Sequence, residues 1–341
     1  MLLVMGIKLV YTRVLVVLFV LLALPALLRV ARAQADGRVH QYMFNQLDFN
    51  PGFAGSAGFI NLYANARKDW VGFGEGAPLM VQFSFDMPFG YRALNRMTPG
   101  RKVMVSHAAG LHFVRDQIGL MATNGLELSY ALRLHLRAIG HLSFGLGVRG
   151  LNDKFDAKWR TPDGAEDDPS IPEGNGSSIS MDLSAGVYFN TKEAYFGVSA
   201  SNLLGPSLRN KLSEGMGQKP RMDYARQYYL VGGYDWAVHP DWSLGPSAMI
   251  RSDFTEYAYS FSTRVTYGNL VWLGVNYYIS TSIGAYAGVH LFNGLRFGYS
   301  YDYPLTELRH FTSGSHEVFV SYTFSLKRDK VPEQYKSIRF L

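Results

Sequence analysis

The chain has no cysteine among its 341 residues. That excludes a disulfide framework, a thiolate zinc or iron–sulfur site, and a lipid anchor on an N-terminal cysteine. Long hydrophobic runs are also missing. Past Leu28 nothing approaches the roughly 20 apolar residues that a spanning helix needs. Acidic residues are the scarcer charge, 27 against 33 basic ones, for a formal net charge of +6. The cations are scattered rather than gathered in one stripe, so no nucleic-acid partner is expected. Gly72-Phe73-Gly74-Glu75-Gly76 is followed by a strand pattern, not by the helix that a phosphate cradle requires, and reads as a hairpin loop. His107 and His112 have opposite parity on one strand and face opposite ways, so they make no metal pair. No Ser, His and Asp arrangement supports nucleophilic catalysis, and neither an enzyme nor a cofactor is expected.

What is present begins with a leader. Lys8 and Arg13 precede an apolar stretch from Val14 to Leu28, and Ala31-Arg32-Ala33 gives a small-residue cleavage site. At about 15 residues, interrupted by Pro25, the stretch is too short for a membrane anchor. Residues 1–33 are expected to be a signal peptide, with a mature chain starting at Gln34.

Strict apolar/polar alternation then fills most of the chain. In Leu126-Glu127-Leu128-Ser129-Tyr130-Ala131-Leu132-Arg133-Leu134-His135-Leu136-Arg137 every even residue is Leu or Tyr. A period of two means an extended strand with one apolar and one polar face. Both signs of charge occupy the polar face and a leader precedes the pattern. The expected fold is therefore all-β: a transmembrane antiparallel β-barrel of outer-membrane type, lipid outside and a polar lumen within. Apolar faces from Ile60, Leu62 and Ala64 to Val318, Val320, Tyr322 and Phe324 add up to about 14 strands, an even number as such barrels require. The barrel is expected over residues 59–327, with a periplasmic N-terminal segment or plug at 34–58 and a periplasmic tail at 328–341. Arginine at Leu128 or Leu132 should hinder insertion, whereas Ala131, on the lumen face, should accept it.

The connections sort by parity. Long polar segments at 152–178, 202–226 and 304–314 follow odd strands, while tight turns at 138–140, 190–193, 268–269 and 293–294 follow even ones. Short periplasmic turns and long outer loops are the outer-membrane pattern. The exception is 88–102, a long even connection. Aromatic residues, 22 Tyr and 22 Phe, suit interfacial girdles, and the 35 glycines suit turns and strand positions facing a crowded lumen. Glu127, Arg133, His135, Arg137 and Arg149 are expected lumen charges. Asp156, Asp163, Glu166, Asp167, Asp168 and Glu173 match no calcium-loop spacing and read as a solvated loop.

The most distinctive stretch runs from Tyr42-Met43-Phe44-Asn45 through Phe49-Asn50-Pro51-Gly52-Phe53-Ala54-Gly55. After a strand come Arg67-Lys68-Asp69-Trp70 and Gly76-Ala77-Pro78. Gly110-Leu111-His112-Phe113 with Asp116-Gln117-Ile118-Gly119 follows later, and Ser315-His316-Glu317-Val318-Phe319 opens the last strand. This ordered set resembles the PorP/SprF family of Bacteroidetes outer-membrane proteins over almost the whole mature chain. Gly52 and Phe53 replace the family's usual alanine-tyrosine, and the 328–341 tail extends past its final strand.

The resemblance implies a non-enzymatic outer-membrane component of the type IX secretion system. It implies secretion or surface anchoring of cargo with C-terminal sorting domains, adhesins included, and a PorK/PorN-like periplasmic ring as partner. A passive diffusion channel is the alternative, with Arg133, Arg137, Arg149, Arg264 and Arg296 biasing it toward anions. Tyr42, Phe44, Asn45, Phe49, Asn50, Pro51, Phe53 and Gly55 form a candidate partner or plug segment, because rings so concentrated must pack somewhere. Arg67, Trp70, Gly76 and Pro78 mark a family-motif loop at the outer side.

Overall fold

In a computed structural model the described residues are 41–94, 103–136, 139–155, 176–204, 224–291 and 294–324. Their strands are β1 (Ile60–Lys68), β2 (Leu79–Leu94), β3 (Val103–Ile118), β4 (Met121–Leu136), β5 (Gly140–Phe155), β6 (Gly176–Asn190) and β7 (Ala194–Ser201). Then follow β8 (Gln227–Tyr234), β9 (Trp236–His239), β10 (Trp242–Ser252), β11 (Tyr257–Tyr267), β12 (Val271–Tyr278), β13 (Ser282–His290), β14 (Leu295–Pro304) and β15 (Ser315–Phe324). β8 and β9 both pair with β10 and are separated only by Asp235, so they are two pieces of one crossing. β1 pairs with both β2 and β15, and β10 with β11, which closes a 14-stranded antiparallel barrel. Closure is the physical requirement in lipid, where a free sheet edge would leave backbone N–H and C=O groups unsatisfied.

The alternation has the expected sides. On β4, Leu126, Leu128 and Tyr130 are 47%, 58% and 47% exposed, while Glu127, Ser129 and Ala131 are 1%, 5% and 0%. An apolar face left open beside a buried polar face is the reverse of a water-soluble sandwich, and it places lipid on the outside. His107 and His112 do face opposite ways: His107 meets Tyr130 on the outside, and His112 is fully buried inside.

Two expectations need correction. Residues 88–102 are not one long connection, because β2 runs on to Leu94 and β3 starts at Val103. Gly90 takes φ +65° and the register slips between Phe89 and Arg92, so a bulge lies at residues 90–91, just past Pro88, which stays in register opposite Ala108. Loop length also sorts in one direction only, since the odd connections at 119–120, 253–256 and 279–281 are short turns. The signal peptide, the acidic cluster at 156–173, Arg137 and the tail at 328–341 lie outside the described residues.

Candidate functional site

The barrel is not hollow. Residues 41–58 lie inside it, and Tyr42, Phe44, Leu47, Phe49 and Phe53 are all buried in one cluster with wall residues. The rings sit well inside rather than at a mouth. Tyr42 Oη meets Ser247 Oγ, near the middle of β10, at 3.1 Å. Phe44 lies 4.8 Å from Phe319, near the middle of β15, and 5.3 Å from Trp272. Phe49 stacks on Tyr229 and Phe53 meets Tyr188 edge-on, each at 5.3 Å.

The Asn50-Pro51-Gly52 turn shows why those residue types are needed. Pro51–Phe53 form a single 3-10 turn that Asn50 caps, its side-chain oxygen accepting from Gly52 N at 2.9 Å. Asn50 Nδ2 also donates to the Val187 carbonyl at 3.2 Å, tying the turn to β6. The wall beneath is glycine. A Cβ on Gly145 would stand 2.2 Å from Gly52 N, and one on Gly186 would stand 2.1 Å from Asn50 Oδ1. These two glycines are paired across β5 and β6, so together they make a flat seat for the turn.

Gly55 closes the segment. Its φ is +67°, open to glycine at no cost, and an added Cβ would collide with Ala108 Cβ at 2.6 Å. Gly55 N donates to Asp86 at 2.8 Å, and its carbonyl accepts from Arg133, which also reaches Ser143. His135, the next inward residue of β4, bonds Ser106 at 2.7 Å and His141 at 2.9 Å.

A polar chain crosses the interior. Asn45 donates to Ser84 at 2.8 Å, Ser84 meets His112 at 2.8 Å, and His112 Nε2 faces Asp48 at 3.0 Å. Arg149 donates to the Asp48 carbonyl at 3.0 Å and pairs with Glu127 at 2.8 Å. Burial acts to raise the Asp48 carboxyl, but His112 and Arg149 outweigh it and hold the group below its ordinary value. Burial also raises the Tyr42 phenol well above its ordinary value.

The family-motif loop forms a second unit. Arg67, 2% exposed, meets Asp69 at 2.6 Å, Asp302 at 2.8 Å and Glu317 at 3.2 Å, joining β1, β14 and β15. Trp70 N donates to Ser315, and Val71 and residues 313–314 exchange backbone hydrogen bonds, so this loop pairs with the 305–314 loop. Gly76 has φ +90° and accepts from Gly119 N, while the Pro78 carbonyl accepts from Asp69 N. The sequence had no signal pairing Arg67 with Asp302 and Glu317, because cross-barrel partners are hundreds of residues apart. It also assigned aromatic residues to the girdles, whereas Tyr63, Tyr188, Trp272, Tyr286 and Phe319 are buried inward. Their inward parity was readable, but the need to enclose a segment was not. Trp242 and Tyr267, 4.7 Å apart beside the 268–270 turn, do suit an interfacial position.

A closed antiparallel barrel with a lipid-facing apolar wall and a polar inner wall is an outer-membrane protein. Among solved structures it is similar to a FadL homologue of Pseudomonas aeruginosa, at 12% identity and a TM-score of 0.42 over 84% of this chain and 94% of that one. It is also similar to Omp33 of Acinetobacter baumannii, at 8% identity and a TM-score of 0.41 over 78% and 98%. A comparison with curated sequences gives no significant match. The family model for the type IX secretion system membrane protein PorP/SprF matches residues 31–322, and the chain belongs to that family.

Proposed function

We propose that the chain is a non-enzymatic part of type IX secretion that supports export or surface anchoring of cargo bearing C-terminal sorting domains. In this reading the odd connections face outward. A PorK/PorN-like ring works from the periplasmic side, and residues 41–58 act as a plug. The observation that favours this over a diffusion channel is the occupied interior. Arg133, Arg149 and Arg264, which could select anions in an open pore, instead contact the inner segment's carbonyls, Glu127 or Asp235.

Replacing Phe44, Phe49 and Phe53 together by serine tests the reading. Normal barrel levels with failed cargo secretion would make the segment a working surface of the secretion step. Loss of the barrel from the membrane would give it a structural role. Normal levels with normal secretion would remove both roles.

A further inference from the structure

The outward face of β1–β6 changes chemistry at its outer end. Register sets Ala64, Phe83, Phe113, Leu126, Gly150 and Met181 in one outward row, where Phe83, Leu126 and Met181 are exposed to hydrocarbon. The next row toward the outer rim is Ala66, Val81, Arg115, Asn124, Asn152 and Ile179. Above it stand Lys68, Leu79, Gln117, Ala122, Lys154 and Ser177. Lys68, Arg115 and Lys154 are all exposed. The apolar band on this side therefore ends in three cations and three amides, at the level where lipid headgroups meet a barrel wall.

Neither polar row holds an acid. Asp86, Asp116, Glu127, Asp153 and Asp182 of the same strands have the opposite parity and point inward. Among the described residues, none of the three cations is ion-paired. Strands about 4.8 Å apart that rise about 3.4 Å per residue put the Arg115 backbone about 12 Å from those of Lys68 and Lys154. Side chains of that length can meet over one anion held between them. The other half of the wall is different. Outward positions near the outer end of β11, β12 and β14 are Tyr257, Tyr277, Tyr301 and Tyr303, and no lysine or arginine faces outward on β10–β14.

We propose that this patch binds the phosphate groups of an outer-leaflet glycolipid, with Arg115 at its centre and Lys68 and Lys154 on its flanks. A phosphate calls for converging positive charge with no acid beside it, and an arginine fork flanked by lysines supplies that. The position selects a lipid over a soluble phosphate, because the patch lies on the outward wall directly above the hydrocarbon-facing row. Leu79 and Val81, both exposed, carry apolar surface up between Lys68 and Arg115. The site stands independently of the secretion role. Its place in the outer leaflet rests on the orientation proposed above, with odd connections facing outward.

Native mass spectrometry of the full-length protein in detergent would test this with three lipids: diphosphorylated lipid A, its dephosphorylated form and phosphatidylglycerol. Saturable binding of the diphosphorylated lipid is expected, with the other two weaker by about tenfold or more. Replacing Lys68, Arg115 and Lys154 together by glutamine should cost a similar factor while the barrel keeps its heat-modifiable mobility. Arg115→Gln alone should cost less, and Lys192→Gln, in the turn at the opposite rim, should change nothing. The chain has no cysteine, so Gln117→Cys places a single thiol beside the patch. On intact cells that thiol should react with a membrane-impermeant maleimide. An unlabelled thiol with lipid binding intact would move the patch to the inner leaflet and remove the glycolipid as its ligand. Equal binding of the dephosphorylated form or of phosphatidylglycerol, no binding to the native protein, or full binding by the triple variant would overturn the proposal.

Discussion

The two sides of the lumen hold the same inner segment in different ways. Against β5 and β6 the Asn50-Pro51-Gly52 turn lies on Gly145 and Gly186 with no room for a single extra carbon. Against β8, β10, β11 and β12 the contacts include ring packing, the Arg264 guanidinium over Phe44 and a hydroxyl pair, and a cavity remains. The first side fixes position through sterics and the Asn50 side chain's hydrogen bond to the Val187 carbonyl. The second supplies apolar burial with tolerance. A barrel interior can therefore be close-packed on one side and loosely packed on the other, even though both walls alternate with the same period.

The largest effect is expected away from both sides, at the Arg67 latch that joins β1, β14 and β15. Arg67→Gln leaves the buried Asp302 and Glu317 carboxylates without their shared cation, a loss of the order of 3–5 kcal/mol for a broken buried pair. Thermal unfolding in detergent should show it as a sharply lowered midpoint, whereas Met249→Leu, a volume-conserving change on the loosely packed side, should leave the midpoint nearly unchanged.

Next comes arginine scanning of the wall. Leu128→Arg should cost about 2–4 kcal/mol on the lipid face near the midplane. The sequence pattern alone makes Ala131 the tolerant control, but the occupied interior corrects that. Ala131 is 0% exposed and packed in the cluster that holds Phe53 and Ala54, so Ala131→Arg should assemble as poorly as Leu128→Arg. Ala258→Arg, at the cavity mouth, should be the variant that inserts normally. Outer-membrane levels of the three variants measure this directly.

A third contrast uses single side chains on the glycine seat. Gly186→Ala places a methyl on Asn50 Oδ1 and should lower stability by about 1–3 kcal/mol, the usual cost of overpacking. Gly232→Ala, where an added carbon meets nothing closer than 3.6 Å, should be close to neutral. Equal effects in denaturant titrations would show that the seat is not close-packed.

The smallest effect is the pH response of Asp48. Its carboxyl is held below the ordinary value of 3.8, so its contribution is present in full above that value and is lost as pH falls through the lower folded value. The stability gap between native protein and Asp48→Asn should therefore be open at pH 7 and narrow below about pH 4. A gap that widens on acidification would contradict the assigned sign.

The wall was legible because period-two alternation is a direct consequence of a pleated strand between two solvents. Even the Asp235 interruption left the Tyr228, Leu230, Tyr234 and Trp236 face readable as one crossing. The inner segment was legible as a problem, since Phe44, Phe49 and Phe53 had to be covered by something. Its covering was not, because Gly145, Gly186, Tyr229 and Trp272 are brought to it only by closure of the barrel. Arg67 announced a motif, but its acids at 302 and 317 come from the last two strands. The cavity left no mark in the sequence, since it is a shape that remains once other contacts are made.

The central claim is that residues 41–58 occupy the lumen, and planar-bilayer conductance of the purified protein tests it most directly. The native chain should show no large steady conductance, and a variant lacking residues 41–57 that still inserts should open one. A native protein that conducts steadily at the level of its deletion variant would contradict the account.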